Sequence, residues 1–264
     1  MQDLHIIYIQ TGLSWEDKTA NMKRFDEHFA RINEAADLII LPEMFNTAFS
    51  INPEACAEEM HGEGIAYLLK KAKDFNAVLM GSLLVRTDEG FVNRLITAYP
   101  GGELQTYDKR HLFRLSEEYK IFLSGSERLV VDVKGWKIRP LVCYDLRFPV
   151  WSKNTYSEGR YEFDVLVYLA NWPNIRSHVW KTLLMARAME NQVYCIGVNR
   201  IGEDGHGMYH SGDSMVVDPK GNILSSAPAG EEAVIMARLS RRDLELNRES
   251  FTLGMDWDKF TIEL

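Results

Sequence analysis

The chain has 264 residues, enough to bury a sizeable core in one large domain or two small ones. Its 46% hydrophobic and 26% charged residues are ordinary for a globular protein. The formal net charge of −8, from 30 basic and 38 acidic residues, argues against a nucleic-acid partner, which needs a basic face.

The N-terminal stretch MQDLHIIYIQ lacks the basic region of a signal peptide, and no run of 18 apolar residues exists. The expectation is a cytoplasmic protein with no membrane partner. Short apolar runs then alternate with longer amphipathic ones. Predicted strands are His5–Gln10, Asp37–Leu41, Ala77–Leu84, Leu95–Tyr99, Leu129–Val133, Trp136–Cys143, Val165–Ala170, Val193–Asn199, Ser214–Val217 and Ala233–Leu239. Predicted helices are Trp15–Glu34, Glu63–Phe75, Trp180–Asn191 and Arg241–Asn247. In the first, Met22, Phe25 and Phe29 recur at three and four residues and draw one apolar stripe. PGGE at 100–103 and DPKGN at 218–222 read as hairpin loops. There is no internal repeat and no Pro-, Gly- or Ser-rich linker, so a single domain over 1–264 is expected. Alternating strands and helices give α/β, and the hairpins make the sheets mixed rather than purely parallel.

Three cysteines, Cys56, Cys143 and Cys195, are odd in number and show no CxxC spacing, which argues against a disulfide framework or a structural zinc. Cys143 ends the apolar run RPLVC and is followed by YDLRFP. A strand, then a cysteine, then a polar turn lifts a thiol to a sheet edge and can aim backbone N–H groups at a developing oxyanion. A helical turn there is also expected to lower the thiol pKa. A buried structural cysteine is the plainer alternative. Glu43 follows LIILP, so a carboxylate closes a strongly apolar strand, where it can exchange a proton near neutral pH, or simply face water at a helix start. Lys109, in TYDKRHLF, can stabilise negative charge on a reacting carbonyl, or sit solvated at a strand end.

Together these residues change the weighing. LPEMF around Glu43, YDKRHLF around Lys109 and VCYDLRFP around Cys143 resemble the nitrilase superfamily of carbon–nitrogen hydrolases. ANWP at 170–173, ARAMENQVYCIGVNR at 186–200 and GDSMVVDPKGNIL at 212–224 extend the resemblance over nearly the whole chain. It is strongest toward the omega-amidase branch, which acts on amides of 2-oxo acids. The resemblance implies a four-layer α-β-β-α sandwich of two mixed β-sheets, pairing into a homodimer or higher homo-oligomer. It implies a cysteine nucleophile, Cys143, with Glu43 as base and Lys109 as oxyanion stabiliser beside the backbone N–H of Tyr144. It also implies a second glutamate; SEEYKIFLSG offers Glu117 and Glu118, and Glu118, seven residues before Gly125, fits the pattern better. No metal or organic cofactor is implied.

The implied activity is hydrolysis of the terminal amide of a small 2-oxo acid, such as 2-oxoglutaramate or 2-oxosuccinamate, through a thioester. Alternatives are another small-amide hydrolase or carbamoylase of the superfamily, and a catalytically silent binding protein on the same fold. Arg147, four residues after Cys143, is the candidate anchor for a substrate carboxylate, unless it is a structural brace; Trp172 and Arg176 are further pocket candidates. A Cys143–His111 hydrolase would leave Glu43 and Lys109 idle. His206 and His210 are four apart, but GEDGHGMYHSGD is too glycine-rich for a helical metal site.

Overall fold

The computed structural model describes residues 2–263. Strands β1 (Leu4–Gln10), β2 (Leu38–Ile40), β3 (Val78–Thr87), β4 (Gly90–Ala98) and β5 (Leu104–Asp108) belong to one sheet. β6 (Val131–Val133) and β7 (Trp136–Val142) begin a second, followed by a small hairpin of β8 (Tyr156–Ser157) and β9 (Arg160–Tyr161). β10 (Val165–Ala170) and β11 (Tyr194–Asn199) continue the second sheet, and β12 (Ile201–Glu203) pairs with β13 (Tyr209–Ser211) as another hairpin. β14 (Met215–Val217) and β15 (Ile223–Ser226) complete the second sheet, and β16 (Ala233–Leu239) returns to the first. The orders are β16-β1-β2-β3-β4-β5 and β15-β14-β11-β10-β7-β6. In each sheet three central strands run parallel and the flanking strands antiparallel, so both are mixed.

Period-two alternation explains the layers. In β1, Leu4, Ile6 and Tyr8 join the core shared with the second sheet, against residues such as Val167 and Val198. Ile7 and Ile9 turn the other way, onto Phe25 and Phe29 of helix α1 (Lys18–Phe29). After the short α2 (Pro53–Cys56), helix α3 (Glu63–Phe75) covers the same face with Ile65, Leu68 and Ala72. Helix α4 (Ser177–Asn191) covers the second sheet with Trp180, Leu184 and Ala188, and α5 (Arg241–Ser250) follows β16. At Gly197 of β11 a Cβ would fall 2.5 Å from both Trp180 and Leu184, so glycine sets how closely α4 approaches its sheet. The result is the α-β-β-α sandwich.

Departures from the sequence reading are local. The first helix begins at Lys18, because the Asp17 side chain accepts from Ala20 N and caps it, and it ends at Phe29 rather than Glu34. Both hairpin loops form, joining β4 to β5 and β14 to β15. Their second strands, LQTYD and ILSS, carry too many exposed residues to announce themselves as apolar runs. Among the described residues no helix is long and apolar enough to cross a membrane.

Candidate active site

Three strand ends converge at one edge of the sandwich. Glu43 lies just past β2, where the Ser82 hydroxyl and carbonyl of β3 take the N–H groups of Met44 (2.9 Å) and Phe45 (3.0 Å) and fix the turn. Lys109 follows β5, its N–H bonded to Asn93 O on β4 (2.9 Å). Cys143 follows β7 and opens a 3-10 turn, Cys143–Arg147, with its own φ at +41°. A β-carbon residue in this left-handed region is strained by about 1–3 kcal/mol and persists only where its surroundings enforce it. Asp145, fully buried, is the enforcing group. Its Oδ2 accepts from Val142 N (3.0 Å) and Tyr107 OH (2.8 Å), and its Oδ1 from His111 N (3.0 Å) and Nδ1 (2.8 Å). One carboxylate thus ties the cysteine turn to the lysine segment.

Glu43, Lys109 and Glu118 form a buried chain of charges. Lys109 Nζ donates to Glu43 Oε1 and to both oxygens of Glu118, each at 3.0 Å. Side-chain exposures of 0%, 1% and 0% leave these groups no solvent to fall back on, so their mutual bonds must satisfy them. Glu43 also accepts from Asn93 Nδ2 (2.9 Å) and from the backbone N–H of Asn171 (2.8 Å). Glu118 accepts from Phe113 N (2.5 Å). Glu117, in contrast, adopts φ +64°, borders the cavity mouth and pairs with Lys120 at the surface. Gly125 explains the spacing to Glu118: a Cβ there would fall 2.1 Å from Asp108 O, and its N–H donates to Lys109 O (3.0 Å), so only glycine lets this segment close on the lysine.

The electrostatics follow from one cation among several potential anions. Burial alone would lower the Lys109 pKa, but Glu118 and Glu43 hold it above its ordinary value. Burial and the neighbouring Glu43 push the Glu118 carboxyl up, against the pull of Lys109. The expectation that the turn after Cys143 lowers its thiol pKa is overturned: burial, then Glu43, push it well above the ordinary value. With two carboxylates already sharing one ammonium, a thiolate would add a second uncompensated negative charge, which favours the thiol form. Tyr144 N–H belongs to the first turn of the 3-10 segment, where a helix leaves its N–H groups without internal partners.

Cys143 and Lys109 line a cavity of about 520 Å³ with Phe49, Phe113, Tyr144 and Asn171. Arg147, Trp172 and Arg176 line it too. The Arg147 guanidinium lies over the Trp172 ring at 4.8 Å, and that of Arg176 over Phe113 at 5.4 Å. Among the described residues neither forms an ion pair, so Arg147 is not a salt-bridged brace. Burial and then the positive charge of Arg147 lower the Arg176 pKa. His206 and His210 border the same cavity; His210 bonds Met208 O through Nδ1 (2.9 Å), and burial brings its pKa down to about 4. His111 is turned away to Asp145 and stacked on Phe148 at 3.6 Å, which removes it as a partner for Cys143. Trp180 packs in the core and donates to Asp213 O (2.9 Å).

The profile of the carbon-nitrogen hydrolase family matches residues 7–249. The chain belongs to the carbon-nitrogen hydrolase family. It is therefore a hydrolase of carbon–nitrogen bonds other than peptide bonds. This carbon-nitrogen hydrolase is 42% identical over 263 residues to the omega-amidase YafV of Escherichia coli, covering 99% of this chain and 100% of that one. It is 31% identical over 251 residues to the 2-oxoglutaramate amidase of Bacillus subtilis, covering 94% and 95%. The crystal structure of XC1258 from Xanthomonas campestris, a CN-hydrolase superfamily protein with an arsenic adduct in its active site, matches with a TM-score of 0.97 at 39% identity over the whole of both chains. Nit3 of Saccharomyces cerevisiae matches with a TM-score of 0.81 at 26% identity, covering 94% of each.

Sequence reasoning found Glu43, Lys109, Glu118 and Cys143, which the fold brings together. It missed Asn93, Asp145 and Asn171 as parts of the site. The last two stand inside quoted motifs, VCYDLRFP and ANWP, but nothing in the sequence says that they bond Glu43 or the cysteine turn.

Proposed function

We propose that this carbon-nitrogen hydrolase is an omega-amidase, cleaving the terminal amide of a small 2-oxo acid such as 2-oxoglutaramate to the dicarboxylate and ammonia. The observation that carries this reading is the coexistence, in one cavity, of the Cys143–Lys109 chemistry and the unpaired guanidiniums of Arg147 and Arg176. Such a pair suits a carboxylate at the far end of the substrate. Full-length similarity to proteins named for this activity supports it.

In the mechanism, Cys143 Sγ attacks the amide carbon as its proton passes to Glu43. Lys109 Nζ and Tyr144 N–H take the charge on the carbonyl oxygen. The C–N bond breaks and ammonia leaves with the proton from Glu43, which leaves an acyl thioester. Water, deprotonated by Glu43, then attacks the thioester; the carboxylate departs and the thiol is restored. Glu118 keeps Lys109 in place, and Trp172 supports Arg147 through ring stacking. No cofactor enters the reaction. The shared core between the sheets supports reading 1–264 as one catalytic domain.

The test is ammonia release from a panel of amides. A preference for 2-oxoglutaramate or 2-oxosuccinamate over uncharged amides of equal length is expected. Equal rates on all, or a preference for uncharged amides, would reject the omega-amidase reading while leaving the amidase chemistry intact.

A further inference from the structure

One carboxylate that the mechanism above does not use gathers the segments around the outer end of the cavity. Asp213 Oδ2 accepts from Ser177 Oγ (2.8 Å) and Ser211 Oγ (2.5 Å), and its Oδ1 pairs with Lys181 Nζ (2.6 Å). Its main-chain oxygen accepts from Trp180 Nε1 (2.9 Å). Ser177 is the first residue of α4 and follows Arg176 directly. Ser211 ends β13, the strand whose His210 borders the same cavity. Asp213 is buried and stands in left-handed backbone, at φ +60°, so local strain is spent where its carboxylate meets these partners. Burial would raise its pKa, but the bonds from Lys181, Ser211 and Ser177 hold it below its ordinary value. Asp213 itself does not line the cavity.

The chain from Trp172 to Ser177 forms an arch fastened at both ends. At one end Asn199 Oδ1 accepts from Trp172 N (2.8 Å) and Asn199 Nδ2 donates to Trp172 O (2.9 Å); at the other, Ser177 bonds Asp213. Trp172 Nε1 donates to Arg176 O (2.9 Å) and ties the two ends together. Asn199 also bonds the main-chain oxygen of Gly212 (2.7 Å), the neighbour of Asp213, so both ends of the arch are fastened to one stretch of chain. The arch carries Arg176 and the ring over which the Arg147 guanidinium lies. A guanidinium on a long side chain anchors a ligand only as well as the backbone beneath it is fixed. We infer that Asp213 is a positioning residue for substrate specificity: by joining Ser177 to β13 it sets where Arg176 and, through Trp172, Arg147 meet the substrate carboxylate. This inference rests on the omega-amidase reading above. The competing role is helix capping alone, since an anion at the start of α4 stabilises the helix. Loss of a mere cap would affect all substrates alike.

The test is steady-state kinetics on 2-oxoglutaramate beside the uncharged pentanamide. Asp213→Ala should raise KM for 2-oxoglutaramate about tenfold, the scale of one lost hydrogen bond, with kcat and the pentanamide KM within about twofold of wild type. Asp213→Asn keeps an oxygen for Ser177 and should hold KM within about threefold of wild type. Ser177→Ala removes only a hydroxyl at a half-buried helix start and should raise the same KM about threefold. Adding it to Asp213→Ala should raise KM no further, because both variants remove the same bond. Equal losses on both amides, or an unchanged KM for 2-oxoglutaramate, overturn the inference and leave Asp213 a helix cap. If Asp213→Ala does not fold, Ser177→Ala decides by the same comparison. A wild-type enzyme with no preference for 2-oxoglutaramate over pentanamide overturns the omega-amidase reading, and this inference with it. A wild-type preference that Ser177→Ala and Asp213→Ala leave intact overturns the inference alone.

Discussion

The two ends of the cavity are built on opposite principles. At the inner end, Glu43, Lys109 and Glu118 are sealed from water, and each charge is held by at least two partners. At the outer end, Arg147 and Arg176 lie against aromatic rings and, among the described residues, in no ion pair, and Leu115 and Ile175 stand about four-fifths exposed nearby. The inner end holds its charges in place before substrate arrives, and in the proposed mechanism Lys109 has only to turn one N–H from Glu118, which it meets through both oxygens, toward the carbonyl. The outer end is left incomplete, and in the proposed reading the substrate carboxylate supplies the missing anion. Chemistry and choice of substrate are therefore separable, and substitutions at the two ends should fail in different ways.

The largest effect belongs to the inner end. Cys143→Ala should reduce ammonia release below detection with every amide, while thermal unfolding stays within a few degrees of wild type, because one lost sulfur opens little space. Retained turnover in pure protein would remove Cys143 as nucleophile. Glu43→Gln and Lys109→Ala should each lower kcat by about 100-fold or more, the scale of a lost base or oxyanion donor. They should separate in stability: Lys109→Ala strands two buried carboxylates and should cost about 3–5 kcal/mol in chemical denaturation, far more than Glu43→Gln. Comparable stability of the two variants would mean that the buried chain is not charged as described. Next comes the glutamate pair. Glu118→Gln weakens the hold on Lys109 and should lower kcat by about tenfold, whereas Glu117→Gln, whose ion pair is exposed, should stay within about twofold. The reverse ranking in steady-state kinetics would exchange their roles.

The inner end was the more legible in the sequence, for a physical reason. Glu43 and Cys143 close apolar runs, LIILP and RPLVC, and a polar group at the end of a buried strand is conspicuous. Lys109 closes β5, an edge strand with the pattern LQTYD, half exposed and without an apolar run; the lysine was found through its motif while its strand was not. Spacing to Gly125 separates Glu118 from Glu117, and the close approach of Gly125 to Asp108 is the geometry behind that spacing. Asn93, Asp145 and Asn171 could not be assigned, because the partners that tie them into the site lie 34 to 128 residues away and exist only once the sheets are assembled. The direction of the thiol pKa is hidden from the sequence for a related reason: the helical turn is local and visible, whereas burial and the approach of Glu43 come from the tertiary fold. The α-β-β-α layering followed from the resemblance. The strands alone showed only a mixed α/β protein, since the small hairpins β8–β9 and β12–β13 carry no periodic signal.

The smallest effect on kcat, and the most direct test of the division between the two ends, is Arg147→Lys. A lysine keeps the charge but loses the planar fork and its stacking on Trp172. The measurement is KM and kcat for 2-oxoglutaramate beside pentanamide, which has the same chain length and no carboxylate, in wild type and variant. The predicted result is a KM for 2-oxoglutaramate raised by about tenfold or more, with kcat nearly unchanged and pentanamide kinetics unaffected. Equal losses on both amides, or a fall in kcat with KM unchanged, would contradict the account and return Arg147 to the catalytic end.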